Sequence, residues 1–228
     1  MSKLFKIFVF LINKIEILKY LNTTDLGNMP SRKRAHLINS CTGYKSANLL
    51  GTKSKNGETN LAIFNSVIHI GSNPPMLGFI LRPLTVKRDT YKNFKETGFF
   101  TVNQVKKDMI KDAHHTAANY DEQISEFSKT NLTESYLDDF YAPYVSQSSI
   151  KLGCRYINEY EIKENNCLLI IGAIEHIYLS DDILEEDGLV NLDKANTVAI
   201  VGLDGYALPK LLNRFNYSKP DEPTIAII

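Results

Sequence analysis

The sequence has no tryptophan, only three cysteines and no excess of either charge sign, and each scarcity narrows what the chain can be. Cys41, Cys154 and Cys167 are odd in number, widely spaced and without a C-x-x-C pair. That argues against both a disulfide framework and a zinc site and fits a reducing, cytoplasmic setting. Lys plus Arg and Asp plus Glu are 26 each, a formal charge of zero, so the chain has no general attraction for nucleic acid or an anionic membrane, and a charged partner must be held locally. Long apolar runs are also missing. The stretch Met1 to Leu21 is rich in Phe, Ile and Leu, but Lys6 and Lys14 interrupt it and no A-x-A-like cleavage site follows, so neither a membrane span nor a signal peptide is expected.

Several chemical signatures are absent too. Gly51 and Gly57 bracket T-K-S-K-N, yet no G-K-S or G-K-T follows, which excludes a P-loop, and no G-x-G-x-x-G follows a strand, which excludes a Rossmann site. His114-His115 with Glu122 and Glu126 nearby lacks metal-ligand spacing, so no metal is expected, and the His pair reads as a helix-end feature. Cys41 with His36, Asp138-Asp139 and the acidic run 181 to 187 carry no partner constellation. No catalytic side chain is assigned, and a side-chain-driven hydrolase is not supported.

What is present is an ordinary globular composition, 43% hydrophobic and 23% charged over 228 residues. Leu4, Phe8, Leu11, Ile15 and Leu18 recur at helical spacing, so residues 1–21 read as an amphipathic extension packed on the body or on a partner subunit. Turn formers from Leu21 to Ser31 separate it from the main domain, 22–228. S-A-N-L-L-G-T-K-S and T-N-L-A-I-F-N-S-V-I-H-I flank Asn56-Gly57, a hairpin signal. Met76 to Arg82 and Phe99 to Val105 read as strands, with a short helix over 90–97 between them, capped by Asp89 or Thr90 and stopped by Gly98. Residues 106–141 suggest short helices and loops, and Ser149 to Glu161 with Cys167 to Leu179 a second hairpin. The strands belong most economically to one antiparallel barrel or sandwich decorated by helices.

The strongest chemical feature lies between 82 and 90, where Arg82, Lys87 and Arg88 precede Asp89-Thr90 at an expected helix N-terminus. Guanidinium groups and unpaired first-turn N–H groups both stabilise an anion such as phosphate, although a cationic run is ordinarily a solvated loop.

The order of several strings carries a resemblance: T-x-x-x-x-G-x-x-N-L-A-I-F-N-S from Thr52, S-N-P-P at 72, R-P-L-T-V-K-R-D-T-Y-K-N from Arg82 and T-G-F-F-T-V-N from Thr97. Ala113 to Thr116, Ser125-Glu126-Phe127 and Gly202 to Tyr206 add to it. From about Lys19 to Pro220 the chain resembles the flavin reductase-like family of FMN-binding split barrels, which includes flavoredoxin. The resemblance implies a mainly β fold with peripheral helices, an antiparallel, Greek-key-like split β-barrel that forms a homodimer with FMN near the interface. By similarity, Asn60, Ala62, Ile63, Asn65 and Ser66 would meet the isoalloxazine ring, Arg82, Lys87, Arg88 and Thr90 would hold the phosphate, and His114 and Thr116 would contribute further contacts. The chain has Asn65-Ser66 where many relatives carry two serines, and Ala117 where they carry a serine.

The implied activity is FMN-dependent oxidoreduction, with NADH or NADPH as hydride donor and free flavin, a partner protein or a small molecule as acceptor. Since the flavin carries the hard chemistry, the absence of a catalytic triad is consistent with it. Two alternatives remain at this level. One is an FMN-carrying electron-transfer protein without efficient NAD(P)H oxidation, the other a barrel that binds nucleic acid or another phosphorylated ligand. No nucleic-acid partner and no integral membrane association are expected.

Overall fold

The structure, a computed structural model, describes residues 18–227. The amphipathic extension expected over 1–21 therefore lies almost wholly outside the described residues. Among the described residues two short helices come first, α1 (Thr23–Asn28) and α2 (Ser31–Cys41). Asn22 and Asp25 form a reciprocal capping box that starts α1, each side chain accepting the other's backbone N–H.

The body is a seven-stranded antiparallel sheet built from β2 (Asn48–Lys53), β3 (Thr59–Phe64), β4 (Ile68–Ser72), β5 (Pro75–Leu81), β6 (Phe99–Gln104), β9 (Ile150–Ile162) and β10 (Cys167–Leu179). Their spatial order is β3-β2-β6-β9-β10-β5-β4. Strands consecutive in sequence, β3 and β4, thus occupy opposite edges, and the sheet must curl for a three-residue connection to join them. The expected single stretch 59–70 is two strands. Between them Ser66 turns inward, its hydroxyl donating to the carbonyl of Ile80 and accepting the N–H of Ile80, both at 3.1 Å. One side chain replaces the ladder across the seam, which leaves the barrel split. The outcome is the mainly β, antiparallel barrel with peripheral helices that the sequence led us to expect, and not a sandwich.

The Asn56-Gly57 hairpin joins β2 to β3, with Gly57 at φ +99°, where a β-carbon would be strained. Gly51 lies within β2, where a β-carbon would run into the Pro143 carbonyl, so it is a packing glycine, as the absence of a P-loop requires. Two further strands, β7 (Glu134–Ser135) and β8 (Tyr144–Val145), pair with each other. A small second sheet has the order β1 (Lys45–Ser46), β11 (Ala199–Val201), β12 (Gly205–Ala207).

Alternation along β2 feeds two cores. Leu50 points into the barrel with Phe79, Phe94, Phe100 and Ile170, all fully buried. Leu49 points the other way, toward Leu61, Val105, Met109, Val198 and Ile200. The barrel interior is closed by helix α3 (Asp89–Thr97), whose Phe94 meets Phe79 edge-on at 6.0 Å between ring centroids. Gly98 ends α3 in the left-handed region at φ +86°. Helix α4 (Ile110–His115) covers the second core through Ala113. Together α3 and α4 flank β3 on its two faces.

Candidate functional site

β3 is an edge strand, so alternate backbone groups point away from β2. Leu61 donates its N–H to the Glu126 carboxylate at 2.7 Å, outside the ladder, which fixes the phase. By alternation the N–H and C=O of Ile63 also face outward. This edge forms one wall of a cleft of about 360 Å³, within the range of small-molecule sites. The opposite walls come from the end of β5 and the 82–90 segment, from the C-terminal end of α4 with the loop to Tyr120, and from the β11–β12 turn with Leu203 and Tyr206.

At one end stand the cations. Arg82 is exposed and enters no ion pair among the described residues. Arg88 reaches the Pro83 carbonyl through Nε and Nη2, both at 3.4 Å. Lys87 pairs with Glu122 and lies 3.4 Å from Asp89, and both acids raise its pKa, the hydrogen bond it donates to Glu122 most.

Helix α3 starts one residue earlier than the sequence suggests. Arg88 is its N-cap and makes no side-chain capping bond, while Asp89 and Thr90 lie within the first turn. The expected cap is missing because Thr90 faces β3: its buried hydroxyl accepts the Asn60 side-chain amide at 2.9 Å. First-turn N–H groups without a cap, beside an uncommitted guanidinium, make an anion site.

The middle and far end are flatter and less polar. Ala62 and Ile63 lie on β3, Asn65 and Ser66 follow it, and Ile80 faces them from β5. Across the cleft, His114 in the last turn of α4 shares a hydrogen bond of 3.0 Å with the Tyr206 hydroxyl. Burial, with Asp204 adding to it, pushes Tyr206 up to about 12, so its hydroxyl stays neutral. Thr116 is buried and donates to the Ala113 carbonyl at 2.8 Å, which leaves its oxygen free to accept.

All eleven residues expected at the site from the sequence line this one cleft. Those set aside lie elsewhere: Cys41 is exposed at the end of α2, and His36 on the same helix sits 3.5 Å from Asp204. Sequence reasoning assigned no role to Ile80, Tyr120, Glu126, Leu203 or Tyr206, although the strings 125–127 and 202–206 held three of them. A larger depression of about 530 Å³ lies between the β2–β3 turn and α3; of its charged groups Glu58, Lys92 and Glu122 have protein partners, and Lys55 and Glu96 have none among the described residues. The cleft along β3 suits a ligand with a flat head, edge donors and acceptors, and an anionic tail.

Comparison with known proteins agrees with that chemistry. The model of the flavin reductase like domain matches residues 44–198, more than half of the chain. A solved structure from Shewanella frigidimarina NCIMB 400, provisionally described as a flavin reductase with split barrel domain, is 40% identical, covers 88% of this chain and 100% of its own, and superposes with a TM-score of 0.85. An uncharacterized protein of Methanothermobacter thermautotrophicus is 29% identical over 68% of this chain and 73% of its own length. The flavoredoxin of Desulfovibrio vulgaris (Miyazaki F), 21% identical with a TM-score of 0.65 over 78% of this chain and 92% of its own, shares the fold. Among the described residues no helix is long and apolar enough to cross a membrane. Split barrel, cleft and family match lead to one conclusion: the chain belongs to the flavin reductase-like family.

Proposed function

We propose that the protein is an FMN-dependent oxidoreductase of the flavin reductase type, which takes a hydride from NADH or NADPH and passes electrons to free flavin, a partner protein or a small acceptor. The observation that carries this reading is the convergence in one cleft of an uncapped helix N-terminus, of Arg82, which has no ion pair among the described residues, and of the outward backbone edge of β3 beyond Leu61. Arg82, Lys87, Arg88 and the first-turn N–H groups around Thr90 hold the phosphate. Asn60, bound to Thr90, keeps the start of β3 in register with that end of the cleft. Ala62 and Ile63 offer a flat surface and outward backbone groups to the ring's polar edge, and Asn65 and Ser66 close its end.

FMN, when bound, supplies the capacity to accept a hydride, so the protein's part is to bind and orient the reactants and to set the electrostatics. His114 and Thr116 complete the wall opposite β3. Tyr206 shares a hydrogen bond with His114 and, as a protonated phenol, brings no charge to the site.

Homodimerisation belongs to the same reading. Its support is apolar surface beside the cleft: by strand register Ile68, Ile80, Leu169 and Tyr160 share the outer sheet face, and Ile68 and Tyr160 are 49% and 57% exposed. Sedimentation equilibrium should give twice the chain mass.

The deciding experiment is the absorbance spectrum of the isolated protein, before and after adding FMN, followed by anaerobic titration with each nicotinamide donor. Retained FMN that bleaches rapidly under NADH or NADPH is expected. A protein that binds no FMN overturns the proposal, and FMN that binds but is not reduced by either donor converts the reading to an electron carrier.

A further inference from the structure

The cleft wall contains a buried carboxylate to which the reading above gives no role. Glu126 is 7% exposed and enters no ion pair among the described residues. Its carboxyl is pushed up chiefly by burial, Asp89 adds to this, and the N–H groups of Leu61 and of Glu126 itself oppose it. Burying a carboxylate without a cation is costly, and such a group on a cleft wall points to a ligand that supplies what the protein does not. Apart from those two backbone N–H groups, no protein donor reaches it among the described residues. Asp89, on the same cleft, differs: its buried Oδ1 has no hydrogen-bond donor, but the Lys87 ammonium lies 3.4 Å away as an ion-pair partner.

The position of Glu126 along the cleft gives the ligand group. Leu61, which Glu126 holds, lies between Asn60, bound to Thr90 in the first turn of α3, and the flat surface that starts at Ala62. The carboxylate therefore stands between the anion end and the platform, where a linker joining head to tail must pass.

We propose that Glu126 is a specificity-determining residue whose carboxylate accepts a hydrogen bond from a hydroxyl of that linker. This rests on the FMN reading, in which the linker is the ribityl chain. A site built to receive a hydroxyl rejects an analogue that lacks it, because the buried acceptor is then left unpaired.

The test compares FMN with the isoalloxazine analogue in which an unbranched phosphopentyl chain replaces the phosphoribityl chain. Affinities of both for the wild type, Glu126→Gln and Glu126→Leu are measured by quenching of flavin fluorescence. The wild type should prefer FMN by about tenfold or more, as a hydrogen bond to a charged group implies. Glu126→Leu should bring the ratio close to one. Glu126→Gln, whose amide carbonyl still accepts from Leu61, should lower the ratio at least roughly threefold while leaving the fold intact, so it carries the test even if the Leu variant does not fold. Equal weakening of both ligands in the variants would make Glu126 a strut for β3 and overturn the inference, as would a wild type that binds both alike. A wild type that binds neither ligand refutes the FMN reading itself.

Discussion

Arg82 provides the sharpest separation of binding from folding in this molecule. Its guanidinium is exposed and makes no ion pair among the described residues, so Arg82→Ala removes charge without breaking a native contact and should leave the melting temperature within about a degree of wild type. Charge-assisted hydrogen bonds contribute about 1.5–3 kcal/mol, and solvent exposure places Arg82 at the lower end, so FMN should bind roughly tenfold more weakly. Riboflavin has no phosphate and should bind both forms alike. Lys87 is the internal control. Its ammonium already serves Glu122 and Asp89, so Lys87→Ala should cost FMN affinity only about twofold to fivefold. Fluorescence titrations at low salt and near 1 M salt give a second reading, because screening over about 3 Å at 1 M should shrink the Arg82 effect. Equal losses for FMN and riboflavin, or no loss for either, would refute the assignment of the phosphate to this end of the cleft.

Three further outcomes test the packing and the electrostatics. A β-carbon at Gly153 would fall on the Tyr144 hydroxyl and lie 3.1 Å from the Phe140 ring, so Gly153→Ala should destabilise the fold by about 1–3 kcal/mol, read as a lower urea midpoint; an unchanged midpoint would contradict this packing. Under native conditions iodoacetamide should modify exposed Cys41 and spare Cys154, whose thiol is fully buried and pushed up by that burial, whereas unfolding should expose all three cysteines; equal native labelling of Cys41 and Cys154 would be incompatible with the core described. Burial raises the Glu126 carboxyl above its ordinary 4.5, so the folded chain holds that proton more tightly, and the stability this confers is complete below pH 4.5 and lost as pH rises through the folded pKa. Glu126→Gln escapes the loss and should therefore gain stability relative to wild type between pH 4 and pH 8 in parallel urea titrations; a constant difference at both pH values would refute a charged, buried Glu126.

The parts of the fold legible in the sequence are those with a local cause. Asn56-Gly57 between apolar stretches, the β9–β10 pair of long strands and the Gly98 stop depend on turn chemistry and on patterns a few residues long, and each appears where expected. The break between β3 and β4 had no local cause. Thr59 to Ile70 reads as continuous apolar strand, and what divides it is the Ser66 side chain meeting the Ile80 backbone, a contact 14 residues away that exists only once the sheet has curled. The α3 cap failed for a similar reason: Asp89 and Thr90 are good capping residues, but packing on β3 turns Thr90 toward Asn60.

The site was legible to the extent that its chemistry lies in contiguous runs. The cations at 82–88 declare themselves, and the resemblance adds the segment 60–66, His114 and Thr116. Glu126 does not, because a carboxylate in a polar segment is ordinarily solvated, and only the three-dimensional edge of β3 makes it buried, with a backbone N–H but no cation as partner among the described residues. Its burial is unfavourable for stability at neutral pH, and the strand edge it caps could be satisfied by a neutral amide. A group that opposes folding while a harmless isostere would serve the scaffold equally well points to selection at the ligand rather than at the core. The same logic applies to the uncapped start of α3: a serine or aspartate at position 88 would strengthen the helix, and the arginine found there leaves its N–H groups open to the cleft. Both sites trade stability for open hydrogen-bonding capacity, and both do so on the wall of one cleft.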